Sequence, residues 1–229
     1  MKNLFALPAI ISSIVITILL LAFGRLGVLQ SLELRVFDQM MQLRGNLEPD
    51  SRLLIVEVTE EDIKNLKFPL PGEVLHNLLS KLEQYQPRAI GLDIYRDLPV
   101  EPGHTKLLEH LKLSDTIIPI CKQSDVNEPA IPPPNGIEPL RVGFSDIAED
   151  PDGTIRRNLL LHEPATDDPC ATPYSFSLQL ALKYLEVGGI QPQFTSEQEL
   201  KLGNTLFKPL KSNSGGYNNV DDGGYQILL

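Results

Sequence analysis

The chain has 229 residues, 42% of them hydrophobic and 22% charged, with a formal net charge of −10 at pH 7. That composition supports a packed core and excludes a disordered tail. The acidic balance argues against a nucleic-acid partner, which demands a basic face, and against a domain pressed flat on anionic lipid.

The first element is the run Asn3–Gly24, twenty-two consecutive uncharged residues. At about 1.5 Å per residue a helix of that length reaches roughly 33 Å, against a hydrocarbon core of about 30 Å. The expected partner of Asn3–Gly24 is therefore a lipid bilayer, with residues 1–25 as a transmembrane anchor and 26–229 as one domain behind it. A cleavable signal peptide is the competing reading, because Lys2 precedes the run and Ala22-Phe23-Gly24 is a small-x-small pattern. The run is longer than the usual signal core of about 7–15 residues, which favours the anchor. By charge alone Arg25, Arg35 and Arg44 outweigh Lys2 and place the domain marginally on the cytoplasmic side.

Leu29, Leu32, Val36, Met40 and Leu43 recur at helical spacing, so Leu29–Leu43 reads as an amphipathic helix hinged at Gly24 and Gly27. Its stripe either packs on the domain it precedes or forms a homodimer seam, and Arg44-Gly45-Asn46 ends it. Leu53–Thr59 is β-branched and nearly continuous in apolar residues, which predicts a buried strand. Glu60, Glu61 and Asp62 suit a helix start. A helix face over Val74–Leu82 and a strand at Ala89–Tyr95 then complete a parallel strand–helix–strand unit. A helix at Thr105–Leu113 and a strand at Thr116–Cys121 follow. Five prolines between 128 and 139 make an extended loop. Arg141–Ile147 and Thr154–Leu161 flank Asp150-Pro-Asp-Gly153 and read as a hairpin. Pro173–Glu186 reads as a helix stopped by Gly188-Gly189, and Thr205–Leu210 and Tyr225–Leu229 as short strands around a soft loop, Ser212–Gly224. The last residues form an apolar run without a closing turn, which suggests a partial product. The expected fold class is α/β: an N-terminal transmembrane helix, then one mixed domain with a partly parallel sheet.

For chemistry, the chain has no nucleophile elbow, phosphate loop, dinucleotide fingerprint or paired-histidine zinc motif, so no cofactor, metal or catalytic residue is assigned. Asp146, Asp150, Asp152 and Gly153 do not fit a calcium loop in register. The remaining cluster is Glu57, Glu60 and Asp62 with Asp93, Arg96 and Asp97. Glu57 and Asp93 fall inside expected strands and the others just past their carboxyl ends, the edge where open α/β sheets bind ligands. Glu57, Glu60, Asp93, Arg96 and Asp97 are thus candidate contacts for a small-molecule or ionic ligand. The alternative is structural pairing with Arg88, Arg96, Arg156 or Arg157. Cys121 and Cys170 either pair as a disulfide, if the domain is outside the cytoplasm, or sit separately in the core.

An ordered set of motifs runs through the chain after its apolar start: Leu32-Glu-Leu…Phe37-Asp38…Leu43-Arg-Gly45, Leu54-Ile-Val-Glu-Val-Thr-Glu60 and Phe68-Pro-Leu-Pro71. Pro87-Arg-Ala-Ile-Gly-Leu-Asp-Ile-Tyr-Arg-Asp97, Val142-Gly-Phe-Ser-Asp146, Asp152-Gly-Thr-Ile-Arg-Arg157 and Ser175-Phe-Ser-Leu-Gln-Leu-Ala181 continue it. This set resembles the CHASE type 2 domain, the extracellular sensory domain of bacterial cyclases, kinases and related signalling proteins, and its flavour is cyanobacterial. Leu70 and Gly72 depart from the aromatic and arginine that the family often places around the Pro-x-Pro turn. The resemblance implies a non-enzymatic, ligand-sensing domain outside the cell membrane, against the charge count, because long domains translocate largely regardless of nearby charge. Relatives typically continue into further membrane helices and a cytoplasmic output module. An exported hydrolase using the Glu57 and Asp93 carboxylates, and a scaffold that dimerises without sensing, are the alternatives.

Overall fold

The computed structural model describes residues 6–45 and 48–229. Lys2 and Asn3–Phe5 of the expected anchor, and Asn46 of the expected helix stop, lie outside the described residues. Two compact units result: the chain up to Ile55 together with Leu210–Asp222, and Val56–Pro209 together with Gly223–Leu229.

The first unit carries α1 (Ala6–Arg25) and α2 (Gln30–Leu43). From Ile10 to Phe23 the large apolar side chains of α1 are 44–65% exposed on all faces. Among the described residues no single helix is long and apolar enough to cross a membrane. Ile10–Arg25 and Gln30–Leu43 meet the length and composition of a span only as a pair, bent by 80°. The bend turns at Gly27, whose φ of +72° lies where a glycine carries no Cβ penalty. Asn218 holds the elbow. Its side-chain amide donates to the Arg25 carbonyl (2.8 Å), one of those an α-helix leaves without an internal partner at its end, and its backbone N–H donates to Gln30 Oε1 (2.9 Å).

The expected apolar stripe of α2 does not pack on this unit. Leu34, 7% exposed, is the helix's buried residue and joins Leu210, Tyr217 and Val220. The reason is rotational. At about 100° per residue Leu34 stands about 160° from the centre of the Leu32–Val36–Met40–Leu43 stripe, so docking through Leu34 turns the stripe outward.

The second unit is built on a parallel sheet of order β1-β2-β3: β1 (Ile90–Leu92), β2 (Ile117–Cys121) and β3 (Gly143–Phe144). Every residue of β2 is buried, as expected for the middle strand of a covered parallel sheet. The connection from β1 to β2 runs through α5 (His104–Leu113), which packs on α4 (Gly72–Glu83). Leu75, Leu79, Leu107, Leu111, Ile117 and Phe144 form the main core. On the other side α6 (Phe176–Glu186) lies against the sheet, and Gly143 permits it, since a Cβ there would fall 2.3 Å from the Phe176 Cα.

Two sequence expectations are corrected. Leu53–Thr59 is not a strand: among the described residues it is unpaired, and Leu53, Leu54 and Ile55 are largely exposed. Apolar β-branched content suits a pleated surface but does not supply a neighbouring edge. Thr59 instead caps α3 (Glu60–Leu66), its Oγ1 accepting from the Asp62 N–H while Asp62 Oδ2 accepts from the Thr59 N–H. The turn at Asp150–Gly153 forms, with the Gly153 N–H donating to the Asp150 carbonyl. Its flanks, however, meet only at a Glu149–Ile155 bridge. Beyond it β3 pairs with β2, whereas β4 (Arg157–Leu161) runs antiparallel to β8 (Tyr225–Leu228). A third sheet, β5 (Pro192–Phe194), β6 (Leu200–Leu202) and β7 (Thr205–Phe207), is an antiparallel meander whose first two strands the sequence pattern did not single out.

Between α4 and α5 a polar chain links His76, His110, Glu83, Ser114 and Thr116. His110 Nε2 donates to a Glu83 carboxylate oxygen at 2.7 Å, and His110 Nδ1 lies 3.1 Å from His76 Nδ1. Burial pushes the Glu83 carboxyl up, but the Ser114 and His110 hydrogen bonds, with the field of His110, hold it below its ordinary value of 4.5. A carboxyl depressed in the folded state contributes stability that is present above its unfolded value and is lost as pH falls through the folded one. Titrating unfolding free energy against pH below 5 will therefore show a smaller acid loss for Glu83→Gln than for the native chain.

Candidate ligand cleft at the carboxyl edge of the sheet

The carboxyl ends of β1, β2 and β3 open into a cleft of about 310 Å³, lined among others by Tyr95, Lys122, Asp125, Glu128, Ser145 and Asp146. Parallel pairing creates this convergence. It sets Cys121 beside Phe144, so Lys122 and Ser145 leave adjacent strands at one edge. The Ser145 N–H donates to the Cys121 carbonyl (2.9 Å), and the Tyr95 and Ser145 hydroxyls are 2.7 Å apart.

Lys122 stands at the centre of the cleft's charge. Its Nζ is 3.2 Å from Asp125, 3.3 Å from Glu128 and 3.7 Å from Asp146. Burial alone would push the ammonium down, yet the hydrogen bonds to Asp125 and Glu128 and the field of Asp146 hold it above its usual value. With Glu149 the lining has four carboxylates against one ammonium, a formal balance of −3. Among the described residues no group of three or more His, Cys, Asp or Glu could hold a metal. Three of the carboxylates, Asp125, Glu128 and Asp146, converge on Lys122, whose ammonium is the cation among them.

The wall carrying Lys122 is fixed from behind. Cys121 and Cys170 form a disulfide, and both are essentially fully buried in the main core. Two residues before Cys170, Asp168 accepts from the Ser124 N–H (2.7 Å), the Ser124 hydroxyl and the Cys170 N–H (2.8 Å). Burial raises the Asp168 carboxyl, but these hydrogen bonds win and hold it below the usual range. Gln123, 4% exposed, donates its N–H to Asp146 (2.9 Å) and its side-chain amide to the Thr172 carbonyl (2.8 Å).

The residues singled out from sequence do not assemble here as a group. Glu57 lies on the unpaired segment before α3 and is exposed, and Glu60 is the first residue of α3. Asp93 is also exposed, one residue past β1, so neither it nor Glu57 is the buried strand carboxylate that suggested a site. Asp97 is half-buried in the loop beyond. Arg96 differs. It is 3% exposed, and among the described residues its Nε and Nη2 have no hydrogen-bond partner. Burial pushes its guanidinium below the usual value. Buried arginines normally carry partners, so Arg96 holds unspent binding capacity one residue from Tyr95. Arg96→Met removes an uncompensated charge at similar volume. Chemical denaturation is expected to show a gain on the order of 1–3 kcal/mol. A loss of that size would mean the guanidinium supports the fold.

Arg156 and Arg157, weighed from sequence as structural partners of these carboxylates, pair elsewhere. Both bind Asp150 in a buried network. Of the cleft residues not assigned to a site from sequence, Lys122 directly follows the apolar run ending at Cys121, and Ser145 and Asp146 follow the short run ending at Phe144. A second depression of about 470 Å³ lies beside α6, among Ile117, Ile118, Tyr174 and Leu182. It touches the start of β2 rather than its carboxyl end, so the cleft at Lys122 is the better ligand site.

Compared with known proteins, residues 13–229 match the family model of the CHASE2 domain. No curated protein and no solved structure matches the chain.

Proposed function

The chain belongs to the CHASE2 domain family, a family of extracellular sensory domains, and on that premise we propose that it is the ligand-binding part of a membrane-anchored receptor. In this reading α1, with the residues before it, anchors the chain in the cell membrane, and residues 26–229 form the sensory domain on the extracytoplasmic side. The domain senses and is not itself an enzyme. Signalling output belongs to a module of another kind, and a shift of α2 between two arrangements carries the message.

The cleft at Lys122 is the observation that carries the reading. It gathers side chains from three separate strand ends into an open, polar and net acidic site, and the Cys121–Cys170 link supports its wall. Such a site selects ligands that present an amine or another hydrogen-bond donor to the carboxylates and an acceptor to Lys122, Tyr95 or Ser145. Glu57, Glu60, Asp93, Arg96 and Asp97 remain candidate contacts, with Arg96 the one whose burial and empty hydrogen-bond capacity favour it.

A thermal-shift screen of amino acids, polyamines, sugars and inorganic ions against the whole chain in detergent tests the proposal. A ligand of this cleft raises the melting temperature of the native chain and does so less for Tyr95→Phe and Glu128→Gln, two changes at the cleft's exposed rim. A hit that both variants bind undiminished would place the site elsewhere.

A further inference from the structure

We infer that α2 lies in the membrane surface, with Leu32, Val36, Met40 and Leu43 seated in the lipid headgroup region rather than against protein. The inference rests on α1 being the membrane anchor. It adds that the next helix is a second, peripheral lipid contact.

Four observations carry it. The four side chains are 60%, 46%, 65% and 85% exposed and cover one side of the helix over roughly 17 Å. The opposite side is occupied, because Leu34 packs with Leu210, Tyr217 and Val220 of the same unit. The helix thus has globular packing on one side and bare apolar surface on the other. Next, α1 and α2 are bent by 80°, so an α1 standing along the bilayer normal lays α2 within about ten degrees of the membrane plane. Finally, the apolar surface is continuous through the elbow, where Leu26 and Val28 are 73% and 61% exposed.

The angle is built in. Asn218 binds the Arg25 carbonyl at the end of α1 and the Gln30 side chain at the start of α2, and its side chain fills the space a Cβ on Gly27 would enter. The loop Leu210–Asp222 thereby holds α2 both by its buried side and by its elbow. Arg25 and Arg44 bracket the helix, where their long stems reach from the apolar face to the headgroups. An acidic chain gains little from anionic lipid, so burial of this stripe by about 5–10 Å is the attractive term. A seam between two copies would need the same stripe.

Single-cysteine labelling of the whole chain in phosphatidylcholine vesicles separates these occupants. Cys121 and Cys170 are bonded to each other, so one introduced thiol takes the label. Ile14→Cys, Val36→Cys, Met40→Cys and Gln42→Cys are each labelled with a small fluorophore and quenched by lipids carrying a nitroxide at shallow or deep positions. The expected result is deep quenching at Ile14, and shallow quenching at Val36 and Met40 several-fold stronger than at Gln42. Deep quenching at Ile14 with Val36 and Met40 no different from Gln42 overturns the inference and leaves the anchor standing. No quenching at Ile14 removes the anchor and the inference with it. Unquenched Val36→Cys that oxidises into covalent dimers assigns the stripe to a second copy and also overturns it.

Discussion

Asp150→Ala is expected to destabilise the larger unit by about 3–5 kcal/mol, a large effect for a single side-chain change. Asp150 is 3% exposed and accepts from two guanidinium groups at once: Arg156 Nη1 on one oxygen (2.7 Å) and Arg157 Nε on the other (2.9 Å). Arg157 also reaches Gln226 Oε1 on β8 (2.7 Å), so through Arg157 the aspartate ties the turn to the β4–β8 strand pair. Removing the carboxylate leaves two cations in a site with little water. The comparison that isolates the cause is Asp152→Ala. Asp152 also binds Arg156 (2.7 Å), which holds its carboxyl well below the usual range, but its side chain is 53% exposed. An exposed pair is screened by water and contributes little, so urea unfolding of the two variants should differ several-fold in free-energy loss. Equal losses would falsify the burial argument.

The second large effect attaches to the disulfide. Cys121 and Cys170 are separated by 49 residues, and opening a loop of that size releases about 4 kcal/mol of chain entropy to the unfolded state in the loop-closure model. Cys121→Ala with Cys170→Ala should lower the unfolding free energy by that amount, and the melting temperature by roughly 10 °C. Both sulfurs are out of reach of solvent, so a thiol reductant at room temperature leaves the bond intact and acts only as the unit unfolds. Rapid reduction in the native state would show that the core around Phe144 opens locally.

Helices were the most legible part of the fold. The Leu75, Leu79 and Leu107, Leu111 spacings marked α4 and α5, and the run Pro173–Glu186 stopped by Gly188-Gly189 marked α6, which the structure starts at Phe176 after an N-cap at Ser175. These signals are local: a glycine stop and a three-to-four repeat need no knowledge of the rest of the chain. Strands were harder to place. Ile117–Cys121 and Ile90–Leu92 showed as apolar runs and are strands. Leu53–Thr59, equally apolar, is not, because a strand exists only when another edge accepts its hydrogen bonds.

The site followed the same division. Arg96 was marked from sequence by its place after a strand, and its burial without partners gives that choice physical content. Lys122 and Ser145 were passed over because each is unremarkable in its own neighbourhood, and Asp146 because it fits no calcium loop. They come together only when Cys121 pairs beside Phe144.

By itself the sequence determined the apolar start, the acidic charge, the helices, and the ordered motifs that identify the family, most of them properties of residues within a few positions of one another. The tertiary structure decided which strands pair, which carboxylates meet Lys122, that Asp150 is shared by two arginines, and that α2 turns its apolar stripe outward. Those outcomes depend on contacts between residues tens of positions apart, and the free energy that selects them arises only when the surfaces meet.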